Sequence, residues 1–246
     1  MAVNKKILVT GASSGIGLAL CEFLINNSFS VIAIGRDESK VAHLKEHYNS
    51  DSFSFESLDL NNFENYNSFF DKHLNNLKFD GFVHCAGMEE TLPLSLYTPE
   101  RMHSIFNINV FSGVELLRYF SKKKYSNDRA SVVFISSVMG ELGQPGKIGY
   151  CATKSAILGV VKSAALELSK RKFRINAVSP GVVNTPMTQK LFESLDDINV
   201  NRIKEMHPLG IGEVDDVIPI ITFLLSDTSK WITGQNLIVD GGYSIQ

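Results

Sequence analysis

The chain of 246 residues is 44% hydrophobic, which is enough apolar material for a sizeable core. A formal net charge of −2 offers no basic field for nucleic acid or an anionic membrane, so neither is an expected partner. The apolar runs are too short for a signal peptide or a membrane span. Cys21, Cys85 and Cys151 show no metal-ligand spacing, which favours reduced thiols, a cytoplasmic location and no metal site.

Short apolar runs alternate along the chain with longer stretches of helical pattern. Several runs are almost continuously apolar, which is typical of strands that are covered on both faces. The predicted strands are 5–11, 30–35, 52–60, 80–87, 131–137, 173–181 and 236–242. Helical patterns lie between them, for example at 17–27 and 155–171. The alternation predicts an α/β fold, a doubly wound and mostly parallel sheet in a single domain that spans residues 1–246.

The first predicted strand leads into the sequence TGASSGIG, residues 10–17. Its glycines, Gly11, Gly15 and Gly17, lie between a strand and a helix. Glycine permits a tight turn and lets a phosphate approach backbone N–H groups, and the N-terminus of the next helix favours an anion. The spacing is GxxxGxG, whereas the commoner dinucleotide pattern is GxGxxG. The alternative to a phosphate site is a purely structural turn.

The second predicted strand ends at Gly35 and is followed by Arg36 and Asp37. In dinucleotide-binding folds an acidic residue at this point holds the adenosine ribose, whereas a nearby Arg accommodates a 2′-phosphate. Asp37 comes one residue too late for the first role and fits better at the start of the next helix. Arg36 therefore favours NADP over NAD, and the alternative is an ordinary solvated arginine.

Three polar residues, Ser137, Tyr150 and Lys154, lie in a stretch of mostly small and apolar residues. Tyr150 and Lys154 are four residues apart at the start of a predicted helix, so they project from one face. Tyr is a poor acid or base at neutral pH, and a neighbouring ammonium would lower its pKa from about 10 toward the working range. Ser137 ends a strand at the edge where open α/β sheets bind ligands. The alternative is a chance YxxxK spacing on the surface.

The segment 186–210 mixes polar and apolar residues directly after a predicted strand. It carries Met187, Leu191 and Phe192 among charged residues. It could form a plain pair of surface helices or a lid that closes over a substrate and excludes water. We predict a mobile lid at residues 186–207.

Several segments together resemble the short-chain dehydrogenase/reductase family over nearly the whole chain. They are TGASSGIG, HCAG, INVFSG, ISS, YCATK, INAVSPGVVNT and ITGQNLIVDGG. The tail, with PLGIGEVDDV at 208–217, is most similar to the 3-oxoacyl-[acyl-carrier-protein] reductase branch. The resemblance implies a Rossmann-type fold of about seven strands, a homotetramer, and an NADP(H)-dependent oxidoreductase that interconverts a carbonyl (3-oxoacyl or other ketone) and a secondary alcohol.

The resemblance also implies roles for individual residues. Tyr150 matches the general acid/base, Lys154 the group that lowers its pKa and holds the nicotinamide ribose, and Ser137 the group that orients the carbonyl. Asn109 matches an Asn that holds a water in a proton relay, with Asn107 as the competing candidate. Besides Tyr150 and Lys154, the expected cofactor contacts are Gly11, Ser13, Ser14, Gly15, Ile16, Gly17, Arg36, Asp59, Leu60, Cys85, Ala86, Gly87, Pro180, Gly181, Val183 and Thr185.

The chain departs from the family pattern at two cofactor positions. Cys85 stands where an Asn usually braces the central strand, and the adjacent His84 is interpreted as a core residue of that strand rather than a catalytic one. Ser14 stands where NADP-using relatives often carry a basic residue. Arg36 would therefore bind the 2′-phosphate nearly alone.

The substrate and any larger partner stay open at this stage, because the tail pattern is shared by relatives with different substrates. Two basic clusters, KKK at 122–124 and KRK at 170–172, could dock an acidic acyl carrier protein or could be solubilising charges at helix ends. One alternative function is a catalytically inactive cofactor-sensing or scaffold protein, although Ser137, Tyr150 and Lys154 are all present. The other is a sugar-modifying relative, which usually needs a larger C-terminal domain.

Overall fold

The computed structural model describes residues 5–74 and 77–245, and within them strands and helices alternate as the sequence predicts. The strands are β1 (Lys6–Thr10), β2 (Ser30–Gly35), β3 (Phe53–Ser57), β4 (Phe79–His84), β5 (Ser126–Ile135), β6 (Arg174–Pro180) and β7 (Asn236–Val239). The α-helices are α1 (Gly15–Asn26), α2 (Ala42–His47), α3 (Tyr66–Lys72), α4 (Pro99–Phe106), α5 (Ser112–Phe120), α6 (Ile148–Glu167), α7 (Pro186–Glu193), α8 (Asp197–Glu205) and α9 (Val214–Leu225). No helix in the described ranges is both long and apolar enough to cross a membrane.

All strands form one parallel sheet in the order β3-β2-β1-β4-β5-β6-β7. The predicted doubly wound α/β fold of the Rossmann type is confirmed. The strand order changes direction between β1 and β4, which pair with Ile7 opposite Gly81 and Thr10 opposite His84. In open α/β sheets this point leaves a crevice beyond the carboxyl ends of the strands, where ligands bind.

The sheet is covered by an apolar layer on each face. Successive side chains of a strand point to opposite faces, so Leu8 of β1 belongs to one layer while Ile7 and Val9 belong to the other. The first layer includes side chains of α3, α5 and α6, and the second includes side chains of α1 and α9. Burial on both faces explains the continuous apolar runs of the central strands, and the shared sheet makes the described chain one domain.

Strand β5 begins five residues earlier than the sequence pattern indicates. Ser126 pairs with Phe79 of β4, and the register then shifts before Gly81. Residues 127–129 are exposed, and Arg129 has a φ of 67° at this irregularity. Their polar sequence, Asn-Asp-Arg, does not resemble a strand because these side chains lie outside both apolar layers.

The helix that follows the loop after β4 is interrupted by a π-helical turn. Helices α4 and α5 are joined without a break by Asn107–Phe111, which has π-helical hydrogen bonding. Such turns are frequent at functional sites. The turn leaves Asn109 fully buried and Asn107 partly exposed, so Asn109 is the residue that faces the interior.

The two basic clusters precede β5 and β6, so they lie at the edge of the sheet opposite the carboxyl ends of these strands. Lys124 forms an ion pair with Asp71. Arg171 pairs with Asp128 at 2.7 Å and also donates to the carbonyl oxygen of Ser126. Lys122 Nζ lies over the Tyr119 ring, 4.1 Å from its centre. Three of the six basic groups are therefore engaged within the described residues.

Candidate active site

A cleft of about 480 Å³ lies across the carboxyl ends of the central strands. Its walls come from the loops after β1 to β6, from the start of α6 and from the segment after β6. Every predicted site residue lines this cleft except Asn109, which lies behind its wall. Groups that are far apart in sequence therefore meet at the edge that the strand order predicts.

The loop between β1 and α1 has the geometry of an anion site. Gly11 has a φ of 67°, and a Cβ at this position would lie 2.7 Å from the backbone nitrogen of Ala86, so only glycine fits. The backbone N–H of Ala12 donates to the carbonyl oxygen of Ile34 at 3.0 Å, which ties the loop to β2. Ser14 precedes α1, and its side chain makes no capping hydrogen bond to the first turn. The N–H groups of its first turn are thus available to a phosphate, and the residues present fit a dinucleotide cofactor.

The end of β2 has no room for an acidic side chain. A Cβ on Gly35 would lie 2.9 Å from the ring of Phe55 and 3.0 Å from the hydroxyl oxygen of Ser13. Arg36 follows, is exposed and lines the cleft. Asp37 instead caps the 3₁₀ turn Glu38–Val41, where its carboxylate accepts from the backbone N–H of Ser39 at 3.1 Å. The predicted place of Asp37 at a helix start is confirmed.

The segment after β6 closes the opposite side of the cleft. Pro180 ends β6, and Val183 forms a bridge with Gly212. Thr185 caps α7 through the backbone N–H of Thr188 at 3.4 Å. A Cβ on Gly15 would lie 3.3 Å from the Thr185 methyl group, so the glycine loop and the start of α7 nearly touch.

Ser137, Tyr150 and Lys154 converge in the cleft. Ser137 follows β5, its Oγ accepts from the backbone N–H of Met139 at 3.2 Å, and its hydroxyl lies near that of Tyr150. The Lys154 Nζ donates to the carbonyl oxygen of Ile135 at 2.8 Å and lies 5.6 Å from the centre of the Tyr150 ring. The hydroxyl of Ser136 donates to the carbonyl oxygen of Lys154 at 2.9 Å and fixes α6 against the end of β5. Ser137 and Lys154 are buried and Tyr150 is half-buried, so the YxxxK spacing belongs to the cleft and not to an outer surface.

The protonation states differ from the expectation that Lys154 lowers the pKa of Tyr150. Burial raises the pKa of Tyr150 to about 12, although the nearby Ser137 side chain acts in the opposite direction. Burial lowers the pKa of Lys154 to about 8. The ammonium is bound to a backbone carbonyl, so in this state it does not act as the partner of the phenol. Tyr150 is consequently protonated at neutral pH, as a proton donor must be.

Asn109 occupies a position directly behind the cleft. Its Oδ1 accepts from the backbone N–H of Met88 at 2.8 Å, while its Nδ2 donates to the Met88 carbonyl oxygen and to Thr153 Oγ1, both at 3.0 Å. A Cβ on Gly87 would lie 3.4 Å from Asn109 Oδ1 and 3.6 Å from Lys154 Nζ, so both groups approach the same point. Asn109 thus holds the chain after β4 in place, and its role in a water relay stays a prediction.

His84 supplies a brace that the sequence did not reveal. It is buried in β4, as predicted, and its Nδ1 lies 2.9 Å from Thr10 Oγ1 on β1. Thr10 Oγ1 also accepts from the backbone N–H of Ala86 at 3.2 Å. Burial and the nearby Lys154 ammonium lower the pKa of His84 to about 3, so the ring is neutral. The Thr10–His84 bond therefore connects the two central strands beside Cys85, where the family's Asn is missing.

At the end that contains Tyr150, the cleft has an apolar wall with four methionines, and a buried ion pair lies beside it. Its apolar residues are Met88, Met139, Met187, Leu191, Ile203 and Met206. The ion pair joins Lys147 Nζ to Glu89 Oε1 at 2.6 Å. Tyr243, from the C-terminal tail, also lines the cleft and stacks on His207 at 4.7 Å between ring centres. Of these residues, only Met187 and Leu191 were named from the sequence, as apolar side chains of the predicted lid.

The predicted lid region forms two short helices, α7 and α8, that contain no fully buried residue. Its apolar side chains nevertheless reach the cleft, because Met187, Leu191 and Ile203 line it. His207 anchors the end of the segment, since its Nε2 accepts from the backbone N–H of Val182 at 3.2 Å. The segment is therefore a helix pair over the cleft that is fastened at its base.

Comparisons with known proteins agree with this geometry. The family model described as enoyl-(acyl carrier protein) reductase matches residues 11–244. The chain is 35% identical over 241 residues to a 3-oxoacyl-[acyl-carrier-protein] reductase, FabG, of Rickettsia felis, covering 97% of this chain and 96% of the relative.

Two solved structures with bound cofactors are similar over almost their full length. The structure titled ElxO with NADP bound has a TM-score of 0.86 at 28% identity, covering 99% of this chain and 100% of that one. A 4-hydroxyisoleucine dehydrogenase complexed with NADH has a TM-score of 0.89 at 30% identity, with the same coverage. The chain therefore belongs to the short-chain dehydrogenase/reductase family and is an NAD(P)-dependent oxidoreductase that acts on CH–OH groups.

Proposed function

We propose that this enzyme reduces a ketone to a secondary alcohol with NADPH. The observation that carries the proposal is the convergence of Ser137, Tyr150 and Lys154 at one end of a cleft whose other end has an anion-binding loop and Arg36. Gly11, the first turn of α1 and Arg36 would hold the phosphates, and Thr185 would meet the nicotinamide end.

In the proposed reaction each group of the chain has a separate task. Ser137 orients the carbonyl oxygen, and Tyr150 donates a proton to that oxygen as the carbonyl carbon is reduced. When bound, NADPH supplies the hydride. Lys154 holds the ribose and stabilises the phenolate that remains, which requires its Nζ to exchange the Ile135 carbonyl for these partners. Asn109 keeps Met88 and the adjoining chain in position and, as predicted, would hold the water that returns the proton.

The preference for NADPH over NADH follows from the end of β2. Packing against Phe55 leaves no space for a ribose-binding carboxylate at Gly35. Arg36 offers a cation at the position where a 2′-phosphate would lie. Among the cations that line the cleft, Lys147 and Lys154 belong to the Tyr150 end, so Arg36 supports the assignment alone.

The apolar wall supports an aliphatic substrate. Methionine side chains are flexible and polarizable, so a wall that includes four of them adapts to chains of different shape. A 3-oxoacyl thioester combines such a chain with a ketone, and relatives at about one-third identity are named 3-oxoacyl-[acyl-carrier-protein] reductases. We take 3-oxoacyl thioesters as the first substrate class, with other ketones as the alternative. Three free thiols support a reducing, cytoplasmic setting.

The proposal is tested by following NADPH and NADH oxidation over a panel of 3-oxoacyl thioesters and simple ketones. With the best substrate, Tyr150→Phe should lower kcat by about 10²–10⁴-fold, the usual contribution of a general acid, and should leave NADPH binding largely intact. Lys154→Ala should impair both. Tyr48→Phe, which removes a hydroxyl beside α2 and outside the cleft, is the matched control and should change neither. A Tyr150→Phe enzyme with near wild-type kcat, or no turnover of any panel member, contradicts the proposal.

A further inference from the structure

The tyrosine of the cleft lies between two lysines, one directly before α6 and one within it. Tyr150 and Lys154 are i and i+4 in α6 and project from one face, and Lys147 comes three positions before Tyr150. The Lys147 Nζ lies 5.8 Å from the centre of the Tyr150 ring, almost the same distance as the 5.6 Å of Lys154 Nζ. Tyr150 therefore has a second ammonium group beside it.

This second ammonium is neutralised by a carboxylate from another part of the chain. Lys147 Nζ and Glu89 Oε1 are 2.6 Å apart, and their side chains are only 7% and 14% exposed. The hydroxyl of Thr91 donates to the same carboxylate oxygen at 2.6 Å. Both charged residues line the cleft, and Glu89 is held there by the Asn109 contacts to its neighbour Met88.

The ion pair between Lys147 and Glu89 contributes little to the stability of the fold. A cation at the N-terminus of a helix opposes the helix dipole, and Lys147 directly precedes α6. Burying two charges also costs desolvation energy that their attraction does not reliably return. Both effects are reasons to look for a role of the pair toward the group it faces, which is Tyr150.

We propose that Glu89 and Lys147 together set the acidity of Tyr150, with Lys147 as a second cation and Glu89 as the counter-charge that limits its effect. The inference rests on the proposed function of Tyr150 as the acid/base. Glu89 and Lys147 are positioning residues in this scheme, because they act on the reaction through the tyrosine.

The other groups that face Tyr150 come from three elements. Lys154 and Cys151 lie on α6, Ser137 follows β5, and Glu89 follows β4. Burial is the main reason that the pKa of Tyr150 is raised to about 12, and the Glu89 carboxylate raises it further. Removing that carboxylate exposes the phenol to an unbalanced ammonium, and removing the ammonium exposes it to an unbalanced carboxylate.

Single substitutions should therefore shift the acidity of Tyr150 in opposite directions. In Glu89→Gln the negative charge is lost and Lys147 is unpaired, so the pKa of Tyr150 falls. In Lys147→Met the positive charge is lost and Glu89 is unpaired, so the pKa rises. A charge within about 4–6 Å of an ionising group typically shifts its pKa by about one unit or more. The double variant removes both charges and should return close to the wild-type value.

The experiment measures Tyr150 in two independent ways. Ultraviolet absorbance of tyrosinate is titrated in each variant and in the same variant with Tyr150→Phe, and the difference gives the titration of this tyrosine. The second measurement is kcat/KM against pH for NADP-dependent oxidation of the alcohol product, which needs the phenolate. Below the pKa, a shift of one unit is a tenfold change, so Glu89→Gln should be about tenfold faster at fixed pH and Lys147→Met about tenfold slower.

Glu90→Gln is the matched control. Glu90 is the next residue, but it pairs with Arg101 and does not line the cleft, so this variant should leave both titrations unchanged. Shifts of the same sign in the two single variants, or no shift in either, overturn the inference. If Tyr150→Phe keeps its activity, the proposed function itself fails, and the absorbance titration still reports whether the pair acts on the tyrosine.

Discussion

Replacing Arg36 with alanine tests the cofactor preference with little risk to the fold. Arg36 is exposed, and its guanidinium takes part in no hydrogen bond or ion pair within residues 5–74 and 77–245. The free protein therefore loses no contact, and the stability change should stay within about 0.5 kcal/mol, as for most surface substitutions. A change in cofactor binding that is larger than this must arise from contacts of Arg36 in the complex with the cofactor.

The size of that effect follows from the surroundings of Arg36. A hydrogen bond to a charged group contributes about 1.5–3 kcal/mol. At about 1.4 kcal/mol for each factor of ten, the dissociation constant of NADPH should rise about 10- to 150-fold. Lys147 and Lys154 cannot replace the lost cation, because they lie with Tyr150 at the other end of the cleft. NADH, which has no 2′-phosphate, should bind almost as before.

The assay is direct titration of both cofactors at low and high ionic strength. Added salt screens exposed charges, so the difference between wild type and Arg36→Ala should shrink as salt rises. Lys40→Ala removes another exposed cation of the same neighbourhood that does not line the cleft, and it should have little effect on either cofactor. Equal weakening of NADPH and NADH, or tighter binding of NADH to the wild type, would refute the reasoning.

Three further outcomes are expected. Arg174 is buried and donates to the carbonyl oxygens of Leu224 and Ser226 at the C-terminal end of α9. Arg174→Met should therefore lower the free energy of unfolding by about 2–4 kcal/mol in chemical denaturation, and an unchanged midpoint would count against this role. Residues 186–207 should exchange amide hydrogens quickly in the free enzyme and slowly with NADPH and substrate, whereas strong protection in both states would argue against a lid. Sedimentation should show a homotetramer, because large apolar side chains that are exposed in one chain, such as Leu166 and the 96% exposed Trp231, mark contact surfaces. A stable monomer at micromolar concentration would exclude this state.

The sequence predicts those parts of the fold that depend on local pattern. The central strands are buried on both faces, so their composition alone marks them, and the confirmed prediction of the sheet follows from this. The start of β5 is missed because Asn127, Asp128 and Arg129 are exposed and polar, and they join the sheet only through pairing near Phe79. A strand that is held by its neighbour rather than by its own apolar residues leaves no periodic signal.

The site is predicted where family motifs or strand ends mark it, and is missed where it depends on contacts between distant residues. Glu89 and Lys147 are 58 positions apart, and Thr10 and His84 are 74 apart, so no spacing rule connects them. The signal that could have identified Lys147 is its place three residues before Tyr150. The raised pKa of Tyr150 in this state is also beyond the sequence pattern, because the sequence shows that a lysine is near but not that it is buried and bound to the Ile135 carbonyl.

Because the strand order changes direction between β1 and β4, the residues for the two ends of the cleft come from different parts of the chain. Arg36, Asp59 and Leu60, at one end of the cleft, belong to the first sixty residues. The residues that would contact a substrate come from later segments, at 88–89, 137–154 and 186–207. Substitutions in those later segments can therefore change the substrate while the cofactor preference is inherited unaltered. An evolving lineage, or an engineer, can exchange one property at a time.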